Sequence, residues 1–382
     1  MLEKIRALRK ELHQHPELSG EEIVTAQRIK NFLAHNPPSE LIEGIGGYGL
    51  AAIYSFDKEG PVILVRCELD ALPIEESNLF EYRSKKNGIS HKCGHDGHMA
   101  MVAGLSYWIK EQTFNKGKII LLFQPAEETG KGAKAIIEDE KFKKLKPDYV
   151  FALHNIPGEP LNTIIRVQNN FSSTVQSLGI FLKGKESHAS EPENGVNPAL
   201  AIADIIKQFY LLNISNPEKL NFTLLTPVHI KMGQVAYGIS AGSGELHFTL
   251  RTRDEEHMEK LKSAINIVLT KTCQLHHLEL ETGWFDYFPT SKNDPFCNEL
   301  IQKAAEMNNL RIHNKAYPYK FGEDFGWFSK HYKSAMFGLG SGELSPALHN
   351  PDYDFPEEII PTGMAMFTSI IEQIIGIKSH ED

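Results

Sequence analysis

Cysteine is scarce in this 382-residue chain: Cys67, Cys93, Cys273 and Cys297 are too few and too scattered to staple a fold. A basic run is also missing, and with a net charge of −9 this excludes a nucleic-acid surface. No apolar stretch reaches the roughly 20 residues of a membrane-spanning helix. The N-terminus, MLEKIRALRKELHQ, has no apolar signal core; Leu2, Ile5, Leu8 and Leu12 instead mark one face of an amphipathic helix. These absences make the cytosol the expected compartment. Repeats and low-complexity linkers are lacking too. The composition that remains, 41% hydrophobic, 23% charged and 9% aromatic, is that of an ordinary soluble enzyme. Its length predicts two domains rather than one core.

The densest chemistry lies at 90–98, where three histidines, a cysteine and an aspartate are threaded on two glycines. Cys93 and His95 are separated only by Gly94, so one loop can aim thiolate and imidazole at a single point, the donors that borderline-soft divalent metals prefer. Gly94 and Gly97 give the backbone freedom to wrap an ion. Taken alone, the cluster equally fits a buried cysteine with surface histidines at a helix start.

Ser19 followed by Glu22 reads as a capping box opening a second helix to about Leu33. GIGGYG at 44–49 spells a dinucleotide-binding pattern, but an apolar strand-like run, LAAIYSF, follows it where that fingerprint requires a helix. A glycine-rich turn between helix and strand is the reading adopted. From residue 61 strand, loop and helix alternate: PVILVRCEL ends in Asp70, KIILLFQ runs into Pro125-Ala126-Glu127-Glu128, and DYVFAL ends at His154. Continuous apolar strands alternating with helices predict an α/β fold, a mostly parallel sheet with helices on both faces. Ligands of such sheets bind beyond the carboxyl ends of the strands, where these acidic and imidazole side chains fall. Residues 175–282 change character to a β-α-β-β-α-β order, the ferredoxin-like motif, with Asp254 capping its second helix. The first pattern then resumes and closes with a helix that Pro361 is expected to kink. The boundaries predicted are a catalytic domain in two parts, 1–172 and 286–382, with an inserted domain at 173–285.

The strand-end side chains and the 90–98 loop, with His349, assemble Cys93, His95, Glu128, His154 and His349 into a five-member ligand set. Five donors suit two adjacent ions better than one. Glu127, beside ligand Glu128, is then free to act as general base, and Asp70 is placed to accept a hydrogen bond from a ligating imidazole. Each has a plainer reading: a solvated helix start for the two glutamates, a hydrogen-bonded core histidine for His154, a turn cap for Asp70.

With LRKELHQHPELSGEE (8–22), ELDALPIEE (68–76), HKCGHDGHMAM (91–101), LLFQPAEETGKGA (121–133), ALHN (152–155), KGKESHAS (183–190), FGEDFGWF (321–328) and LHNPDYDF (348–355), the chain resembles the metal-dependent N-acyl-amino-acid amidohydrolases. These include hippurate hydrolases, aminoacylases and auxin-conjugate hydrolases, and are related to the di-metal carboxypeptidases. The resemblance implies the same five metal ligands and Glu127 as base. It also implies that His188, on the inserted domain, helps stabilise the oxyanion, and that this domain serves as lid and homodimer interface. The cofactor implied is a pair of divalent ions; the mixed donors admit zinc, manganese, cobalt or nickel. One stretch departs from the family pattern. Where an Asn-Val-Ile-Pro-Asp-like run is usual, this chain has Tyr237-Gly238-Ile239-Ser240-Ala241-Gly242, leaving Arg251 as the candidate contact for a substrate carboxylate, with an exposed strand residue as the equal alternative. The expected reaction is hydrolysis of the amide of an N-acyl amino acid or similar small amide. A di-metal dipeptidase or carboxypeptidase, and a non-catalytic binding protein on the same fold, are the alternatives.

Overall fold

The apolar runs of the sequence form the middle of a sheet. In the computed structural model, which describes residues 1–377, Lys116–Gln124, Lys58–Glu68, Tyr149–Ile156 and Lys333–Gly340 lie side by side and parallel. Leu64 pairs with Ile120 and with Val150, and Leu153 with Phe337. Successive residues face opposite sides, so Ile63, Val65, Phe123, Phe151 and Phe337 pack on Leu2–Gln14, His95–Glu111, Pro295–Met307 and Ile360–Ile375. The alternate residues Leu64, Ile120, Leu122 and Ala152 are buried on the other face, the side of Gly132–Glu138. Each such leucine or phenylalanine contributes about 1.5–3 kcal/mol by leaving water.

Antiparallel pairings join the margins to this centre, which the apolar runs did not predict, although the outermost pair, Ile312–Lys315 with Ile164–Val167, is parallel. Gly49–Ser55 joins Lys116–Gln124 and then Glu40–Ile45; at the other edge Ile164–Val167 joins Lys333–Gly340, with Ile312–Lys315 outermost. The glycine-rich 44–49 run is therefore part of a hairpin rather than a helix-to-strand turn. Pro361 sits in the first turn of Ile360–Ile375, where its missing N–H costs nothing, and kinks no helix.

All four parallel strands deliver their carboxyl ends to one edge, bringing Glu68 to Asp70, Gln124 to Glu128 and His154 to Asn155 together there. His95–Glu111 starts at this edge. Gly94, its N-cap, has φ +93, and a Cβ there would come within 2.9 Å of the Asn155 side chain. Gly97 is ordinary helix; its missing Cβ makes room for the Phe355 ring, 2.5 Å from where that atom would stand. Of the two glycines expected to free the backbone, only Gly94 does so.

Residues 172–290 form a second compact unit together with 317–322, a segment that the strand pattern alone assigns to the catalytic domain. Ser173 donates its N–H and hydroxyl to the Tyr319 carbonyl, and Arg251 Nη1 donates to the Lys320 carbonyl at 2.7 Å, which ties that segment to this unit. Thr174–Lys183, Thr223–Met232, Ser243–Thr252 and Glu279–Phe288 make an antiparallel sheet in the spatial order 4-1-3-2 of a ferredoxin-like unit. Leu178, Ile180, Leu246, Phe248 and Leu250 pack against Ile202, Ile205 and Phe209 of Ala199–Leu211 and Met258, Leu261 and Ile265 of Glu255–Leu275. The Asp254 carboxylate accepts from His257 N–H, the predicted cap.

Candidate active site

The carboxyl edge of the parallel sheet gathers the five proposed ligands into overlapping groups. Donor atoms of Cys93, His95 and His154 lie within 4.8 Å of one another; so do those of Cys93, Glu128 and His349, and those of His95, Glu127 and Glu128. Cys93 Sγ is 3.5 Å from His154 Nε2. His95 Nε2 is 3.8 Å from Glu128 Oε1, and His349 Nε2 is 3.8 Å from the same oxygen. His154 lies inside Tyr149–Ile156 rather than at its end.

The two buried imidazoles are held as ligands need to be. His95 Nδ1 lies 2.8 Å from the Asp70 carbonyl, and His154 Nδ1 lies 2.9 Å from the Asn155 carbonyl. A carbonyl only accepts, so in both rings Nδ1 carries the proton and Nε2 turns its lone pair inward. His95 Nε2 and Glu128 Oε1 are buried with no hydrogen-bond partner among the described residues. Burial lowers the His154 pKa to about 3, keeping the ring neutral. Burial, with Glu128 and Glu127 nearby, pushes the Cys93 thiol well above its usual value, and burial raises Glu128 to about 7. Lone pairs and acidic groups crowded in this way fit divalent cations, which compensate both.

Asp70 supports this cradle through a different atom from the one its sequence position suggests. Its main-chain oxygen accepts the hydrogen bond from His95 Nδ1–H, while its carboxylate Oδ2 accepts from Ser19 Oγ at 2.6 Å and from Glu128 N–H at 2.9 Å. Ser19 and Glu22 form no capping box: no side chain caps Ile23–Leu33, and Glu22 Oε1 accepts instead from the N–H groups of Gly20 and Ala126. His349 is half-exposed at φ +67 and anchored by its N–H to the Lys92 carbonyl at 2.8 Å.

Glu127 is buried, with Oε1 accepting from Asp324 N–H at 3.3 Å and Oε2 3.9 Å from His95 Nε2. Burial first, and then the carboxylates of Glu323, Glu128 and Asp324, raise its pKa well above the ordinary range, the direction a general base needs. Sequence reasoning missed what stands behind it. Arg66, fully buried, donates to Gln124 Oε1 at 2.9 Å and Asp324 Oδ1 at 2.7 Å, pairs with Glu323 at 3.0 Å, and bonds Glu68. The signal was present: an arginine inside an apolar strand must find partners. His98, a further histidine of the 90–98 run, spends Nδ1 on Glu68 at 2.7 Å and Nε2 on Asn155 at 2.6 Å, contacts that brace the cluster, although its ring also stands with Glu68 and His95 as a candidate metal group.

The second unit carries the other two predicted residues. His188 is exposed on the two-residue strand Ser187–His188, which pairs with Ile239–Ser240. Its Nδ1 accepts from the N–H of Ser190 at 3.1 Å, with Ser190 Oγ at 2.7 Å. An amide can only donate, so neutral His188 carries its proton on Nε2. Arg251 lies in Ser243–Thr252 with Nη1 committed to the Lys320 carbonyl. A Cβ on Gly238, in the departing loop, would meet nothing within 4 Å.

A family model described as peptidase family M20/M25/M40 matches residues 64–373. An N-acetyl-L-cysteine deacetylase of Bacillus subtilis is 32% identical over 358 residues, spanning 92% of this chain and 84% of its own. An N-acetyldiaminopimelate deacetylase of a Geobacillus strain is 30% identical over 369 residues, 96% of each. Among solved structures, a Bacillus subtilis protein described as a dinuclear metal-binding peptidase of the M20 family matches with a TM-score of 0.82 over 98% of both chains. At 24% identity that likeness speaks for the fold.

Proposed function

The chain belongs to peptidase family M20/M25/M40, and from that premise we propose that it is a metal-dependent amidohydrolase that removes the acyl group from N-acyl amino acids. Cys93, His95, Glu128, His154 and His349 are the ligands in this reading, and zinc, manganese, cobalt and nickel all suit their mixture of thiolate, imidazole and carboxylate. Bound there, two divalent ions supply Lewis acidity, acidifying water and polarising a carbonyl. Glu127 accepts the proton of the attacking water and returns it to the departing nitrogen. The role assigned to His188, following the family resemblance, is donation of its Nε2–H to the developing oxyanion. Arg251 keeps guanidinium donors beyond Nη1 for a substrate carboxylate.

The observation that carries the reading is that the donor atoms of Cys93, His95, Glu128, His154 and His349 fall into overlapping groups, with the Nδ1 atoms of His95 and His154 already tied to carbonyls. Hydrolysis with Lewis-acid help uses such a cradle; a binding protein has no use for the buried, proton-accepting Glu127. The second unit offers a homodimer surface as well. Thr223–Met232 is an edge strand exposing Val228, Ile230 and Met232. Sedimentation at micromolar concentration is expected to give twice the mass of one chain. The cytosol, where a thiolate ligand stays reduced, is the compartment that suits Cys93.

The test is amine release from N-acetyl-L-cysteine, N-acetyldiaminopimelate, hippurate and a set of dipeptides by protein stripped with chelator and then reloaded with each metal. Activity on acyl amino acids that disappears on stripping and returns on loading is the expected result. Turnover of dipeptides alone transfers the chain to the dipeptidase class, and no turnover of anything refutes the enzyme.

A further inference from the structure

Between the first two helices, residues 15–22 carry side chains that reach far from their own neighbourhood. Glu22 is fully buried. Its Oε1 accepts from Ala126 N–H at 2.8 Å and from Gly20 N–H at 2.9 Å, and its Oε2 is buried with no partner among the described residues. Ala126 is the residue immediately before Glu127 and Glu128, and it has φ +53, the left-handed region that residues with a Cβ avoid at a cost. A non-glycine residue stays there only when its surroundings over-determine it. The surroundings do: Glu22 holds the Ala126 N–H, while its carbonyl accepts from Gly132 N–H at 3.0 Å and Thr129 Oγ1 at 3.2 Å. Ser19 acts one residue further on, its hydroxyl donating to the same Asp70 oxygen that accepts Glu128 N–H.

We propose that Glu22 and Ser19 are positioning residues for the Glu127–Glu128 turn. Glu22 fixes the left-handed peptide that sends these neighbouring carboxylates in different directions, and Ser19 fixes the Asp70 carboxylate from which the Glu128 amide hangs. The inference rests on the reading of Glu127 as base and Glu128 as ligand. Neither Glu22 nor Ser19 is assigned any contact with metal or substrate. A strand, its turn and a distant loop together keep a base and a ligand apart although the two are adjacent in sequence. A shift of the order of 1 Å at such a turn is enough to cost about 100-fold in rate.

The test compares Glu22→Ala with Glu22→Gln, whose amide oxygen can still accept both N–H groups. Glu22→Ala is expected to lower kcat on N-acetyl-L-cysteine or hippurate by about 100-fold with KM changed by less than about threefold. Glu22→Gln is expected to recover most of that loss. A second readout needs no turnover: the visible absorption of cobalt-loaded protein, which reports ligand geometry. Glu22→Ala and Ser19→Ala are expected to alter the cobalt bands, and Glu22→Gln to keep those of wild type. Wild-type kcat and cobalt bands in a folded Glu22→Ala protein overturn the inference, as does a Glu22→Gln protein as impaired as the alanine variant. If Glu22→Ala fails to fold, Ser19→Ala decides through its cobalt spectrum, since Ser19 is only partly buried. Wild-type protein that binds cobalt but hydrolyses no acyl amino acid sinks the functional reading alone; the spectra then still judge the positioning roles.

Discussion

In the first unit Arg66 is fully buried among Glu68, Glu323, Asp324 and Gln124, and Asp324 in turn donates its N–H to Glu127. In the second unit the ion pair Lys183–Glu279 is 76% exposed at both ends, and His188 projects from a strand of two residues. In the proposed reading the contrast follows from what each region has to do. A cradle for cations must hold several mutually repelling or proton-hungry groups at fixed separations before any ligand arrives, which takes a rigid, water-free surround. In the proposed role His188 has only to donate one N–H, which needs the right tautomer, and a backbone amide supplies that on an exposed piece of chain. Rigidity is concentrated where charge has to be stored.

The largest effect that tests this division is on the base itself. Glu127→Gln keeps the shape but cannot take a proton, so kcat is expected to fall by on the order of 10²–10⁴. Metal content by elemental analysis should stay as in wild type. Activity within about tenfold of wild type refutes the assignment of Glu127, because general-base catalysis contributes at least 10².

Arg66→Met separates the two regions by stability. It strands three buried acidic groups, and breaking a buried ionic network from one side costs roughly 3–5 kcal/mol. Lys183→Ala removes an exposed pair that solvent already screens, and no measurable shift in denaturation midpoint is expected. Equal effects from the two substitutions, measured by urea unfolding, dissolve the contrast. His188→Ala is the converse case. Loss of one oxyanion donor lowers kcat by about 10²–10³, while the melting temperature and metal content stay put. A fall in either of those shows that His188 is structural.

The parallel centre of the sheet was legible because its strands are continuous apolar runs, and the candidate metal donors because in the sequence they stand where such runs give way to polar residues. Cys93, His95, Glu128, His154 and His349 could be assembled from that rule with no coordinates, and the structure brings their donor atoms together. The supporting residues were not legible in the same way. Ser19 and Glu22 have the spacing of a capping box, but their partners Asp70 and Ala126 lie 51 and 104 residues away, and local pattern cannot reveal a target at that distance. Pro361 in an apolar periodic stretch looks the same whether it opens a helix or bends one; only the helix start at Ile360 decides. Gly97 shares a motif with Gly94, yet its reason is the Phe355 ring, 258 residues further along. The His98 pattern is equally ambiguous, since ligand and brace differ only in where each ring nitrogen goes.

The smallest predicted effect concerns acid. Glu76, nearly buried in the first unit, accepts from Lys92 Nζ at 2.6 Å, from Ser84 N–H at 2.6 Å and from His13 Nε2 at 3.0 Å. Burial opposes its charge, but His13 and Lys92 outweigh burial and hold the carboxyl at about 2, against 4.5 in the unfolded chain. A folded value below the unfolded one means that protons favour the unfolded state, so this stabilisation is fully present above 4.5 and is lost as pH falls toward 2. Glu76→Gln keeps the outline without the charge. Its melting temperature should lie furthest below wild type near neutral pH, and the gap should close as pH falls through that window. Glu245, a carboxylate paired with His247 at 2.6 Å on the second unit, is 37% exposed, and Glu245→Gln should open no comparable gap at any pH. A gap for Glu76 that is constant with pH would mean that its charge plays no part in holding the first unit together, and the claim that this unit concentrates its fixed charges for rigidity would lose its support.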